Sequence, residues 1–95
     1  MRPVIPRLVL HVDGRTAGGQ LLDLADEVSG LSPGEVILEV SNLPDDQLGK
    51  IAMFVGIVSP ESAVKVCGLR AGQVQVLFNL GVEPADILLG RWSPP

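Results

Sequence analysis

Aromatic side chains are nearly missing from this chain: Phe54, Phe78 and Trp92 are all it has, and tyrosine is absent. A core within 95 residues must therefore be built from aliphatic side chains. The only cysteine is Cys67, which excludes an internal disulfide. It sits in the apolar run "AVKVCGL", where the expected role is a buried, inert thiol. Basic residues are few and scattered: Arg2, Arg7, Arg15, Lys50, Lys65, Arg70 and Arg91 stand against eleven acidic residues, for a formal net charge of −4. Nucleic acids and anionic membrane surfaces need a basic patch, so this balance argues against both. No apolar run reaches the ~18 residues of a membrane span. Pro3, Pro6 and Arg7 interrupt the stretch that a signal peptide would need. A cytoplasmic protein, not inserted in a membrane, is the expectation.

Apolar residues make up 46% of the chain and charged ones 19%, the balance of a globular domain. The length suits one domain with one core, followed by a polar tail over 91–95. "RLVLHV" (Arg7 to Val12) reads as a strand closed by the turn pair Asp13-Gly14. Thr16 is placed to cap a helix whose apolar side is Leu21, Leu22, Ala25 and Val28, with Gly18 and Gly19 weakening its first turn. Gly30 and "LSPG" end it. "EVILEV" (Glu35 to Val40) is a nearly continuous apolar run, as in a parallel strand covered on both faces. A second helix carries Leu48, Ile51, Ala52 and Val55 on one stripe. "SPES" is a turn, and "AVKVCGL" (Ala63 to Leu69) is a third buried strand.

The segment Arg70 to Gly81 is ambiguous. Val74, Leu77, Phe78 and Gly81 fit a helix, while Val74, Val76, Phe78 and Leu80 alternate as in a strand. A helix ending at Gly81 continues the strand–helix rhythm and is the preferred reading. "VEPADILLG" adds a short apolar end piece. The sum is an α/β fold: a small, mostly parallel or mixed sheet with helices packed mainly on one face.

The junction "SNLPDDQLGKIAMFVGIV" carries the functional interest. It leaves the C-terminal end of the central strand, where sites of open α/β sheets gather. Asn42 or Asp45 is expected to accept the free N–H groups of the next helix, and that accounts for one aspartate. The other, in a solvent-facing loop, is left over. Met53, Phe54 and Ile57 lie off the helix's main stripe, so its apolar surface nearly encircles it. Either both sides are packed inside the domain, or one is left for another protein, with an acidic edge beside Met and Phe as a recognition patch. The candidate surface is Asn42, Asp45, Asp46, Gln47, Met53 and Phe54.

Three quoted stretches, "HVDGRTAGGQLLDLADEVSGL", "EVILEVSNLPDDQLGKIAMFVG" and "VKVCGLRAGQVQVLFNLGVEPADIL", carry a family likeness in their order. Over about Leu8 to Leu89 the chain resembles the STAS family, the domain of anti-sigma-factor antagonists and of sulfate-transporter tails. Gly68, Leu77, Gly81 and Ile87 match the family's closing pattern. The family's hallmark is a D-S-S-G-L-G loop whose serine or threonine is phosphorylated by an anti-sigma kinase. The corresponding run here is "PDDQLG": Leu48-Gly49 match its end, and Asp45 and Asp46 fall on the serine positions. No hydroxyl stands where phosphate would be added, and Ser41 lies several residues earlier. The resemblance implies a non-catalytic regulatory module bound to an anti-sigma kinase, a related signalling protein or a transport complex. It leaves two roles for the aspartates. They hold the loop in a phosphorylated-like charge state, or they are a helix cap in a module that has lost regulation.

Other chemistry is thinly represented. His11 is the only histidine and is expected to be structural, for it lacks metal partners; with Asp13 it would share one strand face, without an activated serine. "DGRTAGGQ" lacks the spacing of phosphate-cradling glycine loops. No cofactor is implied. Two rivals to the protein-binding reading stand: a small-ligand module for nucleotide or lipid, with its pocket near Gly14 to Gly19 and the loop after the central strand, and a self-associating homodimer. Trp92 is expected to fold back over an exposed core edge.

Overall fold

The computed structural model describes residues 5–90. Within them run β1 (Arg7–Val12), α1 (Gly14–Gly19), α2 (Leu21–Leu31), β2 (Glu35–Val40), a 3₁₀ turn (Asp45–Gln47), α3 (Leu48–Val58), β3 (Ala63–Cys67), α4 (Ala71–Asn79) and a second 3₁₀ turn (Pro84–Asp86). The sheet has three strands in the order β1-β2-β3, and both pairs are parallel. The class is α/β, as the strand–helix rhythm implies. Trp92 and the polar tail, like the segment before Ile5, lie outside the described residues.

Alternation along the strands decides where the core sits. Leu8, Leu10 and Val12 on β1, Val36, Leu38 and Val40 on β2, and Val64 and Val66 on β3 join one apolar cluster. Leu21, Ala25 and Val28 of α2, the inner side of α3, and Leu77 of α4 complete that cluster. The alternate residues form the second face, and there the register sets Arg7 beside Glu35 and His11 beside Glu39. Ile37, between Val9 and Lys65 in the register, is nevertheless 1% exposed. The near-continuous apolar run of β2 thus reflects burial on both faces, while the helical cluster takes only one of them.

The first helical segment departs from expectation. Asp13, not Thr16, is the cap: one carboxylate oxygen accepts from the backbone N–H of Arg15 at 2.9 Å and of Thr16 at 3.0 Å. The helix therefore starts at Gly14, three residues earlier than a Thr16 cap would allow, and it breaks once, at Gln20, directly after Gly19. Glycine's large entropy loss in a helix explains a break there. Asp13 leaves the strand to do this, so it makes no pair with His11.

Arg70 to Gly81 resolves as a helix, ending at Asn79 and followed by Gly81 at φ 97. Leu77 is buried, with Val74 and Phe78 packed against the core. After α4, Ile87 forms a parallel bridge to Val66, and Leu88 donates its N–H to the Val66 carbonyl at 2.9 Å. The apolar end piece therefore lies along β3.

Gly68, just past β3, has φ +82, and a Cβ built there would stand 2.2 Å from the Val40 carbonyl oxygen. Gly68→Ala is expected to destabilise the fold by about 1–3 kcal/mol from backbone conformation alone, with the overlap adding to it; urea unfolding measures the loss. At Asp13, the Thr16 N–H foremost, and the Arg15 N–H with it, hold the carboxyl below the usual carboxylate range. A carboxyl lowered on folding contributes stability that is present above its unfolded pKa of about 3.9, and the contribution is lost as pH falls through the folded value. Thermal melts across acid pH should show Asp13→Asn losing less stability below about pH 4 than the parent chain does.

Candidate functional site

The loop between β2 and α3 is pinned at several points. The N–H of Ser41 continues the sheet by donating to the Val12 carbonyl at 2.9 Å. Asn42 then takes φ 49, a left-handed conformation that asparagine tolerates well. Leu43 turns inward and is 3% exposed. Pro44 lies against the start of α1, where a Cβ on Gly14 would come within 3.1 Å of its ring. From there the chain enters the 3₁₀ turn, which the Gln47 N–H closes on the Pro44 carbonyl at 3.0 Å.

Asp45 and Asp46 are both exposed, as expected, but neither caps α3. The α3 cap position is Gln47, and no side chain caps it. Asp45 points instead to α4: its Oδ1 accepts from Arg70 Nη2 and from Gln73 Nε2, each at 3.1 Å. The capping role is thereby corrected. An extra turn of 3₁₀ backbone separates the aspartates from the free N–H groups of α3, while β3 delivers the polar start of α4 alongside the loop.

Gln73 is 4% exposed, and the same Nε2 donates to the Leu43 carbonyl at 2.7 Å. Its Oε1 accepts from the Arg70 N–H at 3.1 Å. One buried amide therefore ties together the loop, the start of α4 and Arg70. The Arg70–Asp45 ion pair is different in kind, with side chains 71% and 74% exposed. Such a pair contributes about 0–1 kcal/mol.

Asp46 makes no hydrogen bond or ion pair with another described residue. The 3₁₀ turn runs directly into α3, and Asp46, Lys50, Met53 and Ile57 follow at spacings of three and four, which place them along its outward side. Met53 is exposed at 54%. Phe54 is not: it is 0% exposed and belongs to the core. As the largest of the fully buried side chains, it fills the space between sheet and helices that a chain so poor in aromatics leaves to few alternatives. The candidate surface loses Phe54 and keeps Asn42, Asp45, Asp46, Gln47 and Met53.

Beside the loop lies a cavity of about 540 Å³, bordered by Val40, Ser41, Asn42, Leu43, Pro44, Gly68, Arg70 and Gln73. Among the described residues, none of those bordering it belongs to the glycine-rich Gly14–Gly19 segment, which is α1. His11 is exposed on the second sheet face, with Nδ1 3.7 Å from Glu39 Oε2. Cys67 is sealed, its thiol directed to the Leu38 carbonyl at 3.6 Å. Among the described residues, no three His, Cys, Asp or Glu side chains are grouped to hold a metal. Arg70 and Gln73 hold the loop and were not among the residues expected at the candidate site. The available signal was Gln73 itself, a polar residue four before Leu77 on an otherwise apolar stripe.

No protein-family model, curated protein or solved structure matches this chain.

The two kinds of contact predict different costs. Gln73→Ala should destabilise by about 1–3 kcal/mol, because the buried Leu43 carbonyl loses its donor. Asp45→Ala should stay within about 1 kcal/mol. Urea unfolding of the two variants distinguishes them.

Proposed function

We propose that the chain is a non-catalytic, cytoplasmic protein-binding module of STAS-like architecture, whose partner surface comprises Asn42, Asp45, Asp46, Gln47 and Met53. The observation that carries this reading is the unpartnered Asp46 carboxylate on a solvent-facing turn continuous with the exposed side of α3. The partner class follows from the resemblance: an anti-sigma kinase, a related signalling protein or a transport subunit. A phosphoserine carries about −1.5 to −2 charge, and the two aspartates put fixed negative charge on a loop without a hydroxyl for a kinase to modify, with Arg70 offsetting that of Asp45. Arg70 already faces Asp45, so Asp46 is the charge left to meet a partner. In keeping with this, no described helix is long and apolar enough to cross a membrane. The formal net charge of −4 weighs against nucleic acid as the partner.

A second reading has an observation of its own. The cavity beside the loop, with the Arg70 guanidinium at its border, is large enough for a small ligand, and the resemblance points to nucleotides or lipids. A ligand there would raise the melting temperature by mass action. Exposed Met53 and Ile57 keep self-association as a third reading, which sedimentation tests.

Calorimetry against the anti-sigma kinases of the same cell tests the leading proposal. Asp46→Ser should weaken binding about tenfold, equivalent to about 1.4 kcal/mol, and Asp45→Ser should weaken it less, because Arg70 neutralises that site. Equal affinity for the parent chain and the double serine variant would remove the charge-mimic role.

A further inference from the structure

Helix α4 is set apart by its charge. From Ala71 to Val82 the chain carries no charged residue, and the run is bounded by Arg70 on one side and Glu83 on the other. On α2, by contrast, Asp23, Asp26 and Glu27 are all exposed, as on an ordinary solvated helix face. The outer side of α4 presents Gly72, Val76 and its cap residue Leu80 at spacings of four. Val76 and Leu80 are exposed at 39% and 51%. Gln75 and Asn79, joined by a 3.3 Å hydrogen bond, lie beside them. Loss of charge around exposed apolar side chains is the composition of an interface core.

The order along the run says what covers it. A two-fold contact sets each residue against one equally far from the axis on the copy. Gly72 and Leu80 lie four residues before and after Val76, and Arg70 and Glu83 lie six before and seven after. With the axis at Val76 and the helices antiparallel, Leu80 therefore meets Gly72 of the copy, a large side chain over none. In the same register Arg70 meets Glu83, whereas parallel helices would set Glu83 against itself. Arg70 gives Nη2 to Asp45, and a guanidinium has further donors to offer. The amides of Gln75 and Asn79 hold donors and acceptors alike, so they can pair with their own equivalents.

We propose that the chain forms a two-fold dimer through antiparallel α4 helices. Val76 lies on the axis, Leu80 is seated over Gly72 of the second copy, and Arg70 pairs with that copy's Glu83. Met53 of α3 extends the contact, since Gly56, three residues on, shares a hollow with Leu80. The inference rests on the self-association reading and gives it a surface and a register. A helix of nine residues is about 14 Å long. The contact thus belongs to the small, transient class, below about 1,200 Å².

Sedimentation velocity of the full chain over a concentration series, with amide NMR on the same samples, tests it. The parent chain should pass from monomer to dimer, with concentration-dependent shifts at Gly72, Val76 and Leu80. Val76→Glu should abolish the dimer by setting two carboxylates on the axis, and the exposed position leaves the fold intact. Glu83→Arg and Arg70→Glu should each weaken the dimer about tenfold, and the two combined should restore it. Melting temperatures report whether Arg70→Glu stays folded beside Asp45; if it unfolds, Val76→Glu and Glu83→Arg decide. A chain that remains monomeric at millimolar concentration would overturn the proposal and the self-association reading together. A dimer that survives Val76→Glu, or single charge changes that the double exchange does not rescue, would overturn this interface alone.

Discussion

The close approach of Gly68 to the Val40 carbonyl sets the geometry at the C-terminal ends of the strands. Where β3 finishes, the chain must pass against the end of β2 with no room for a side chain, and it does so with a positive φ that glycine adopts at little cost. Only from that position does the chain reach Arg70 and open α4 beside the Leu43–Asp45 segment. A bulkier residue would push the start of α4 outward, and with it the donors that hold the loop. The acidic turn, two elements away in sequence, thus depends on a backbone contact between strand ends.

The contacts that follow are unequal. The Arg70–Asp45 pair is the conspicuous one, but water competes for both partners and screens their attraction. The Gln73 amide is sealed from water and meets two oxygens of the loop, so its removal leaves a buried carbonyl without a donor. Leu43, anchored in the core, completes the hold. The loop backbone is therefore set by buried groups, and its charges are left to vary. That division suits a recognition surface, where the charge pattern can change without loss of the fold.

Much of the architecture was legible in the order of residues. β1 and β2 coincide with "RLVLHV" and "EVILEV", since an apolar run bounded by turn residues leaves little alternative. The helix over Arg70 to Gly81 followed from rhythm, although its alternating valines fit a strand equally well. What could not be read was three-dimensional. Asp13 outcompetes Thr16 as a cap because it stands where the chain leaves the strand. Asp45 turns from α3 to α4 because a helix much later in the chain offers it donors. Phe54 looked like surface because α3 is apolar nearly all round, and periodicity does not say which side a neighbour will cover.

Strand order equals chain order, so the crossovers step across the sheet in one direction, and no crevice forms between diverging connections of the kind that houses ligands in doubly wound sheets. Such a sheet ends in two margins that other chains could extend. On the β3 side, the Ile87–Leu88 piece occupies the lateral hydrogen bonds. On the β1 side, no further strand pairs among the described residues, and Arg7 and His11 project there as charged or polar guards. The sheet is thereby blocked from growing into a longer ribbon at one margin and discouraged from it at the other.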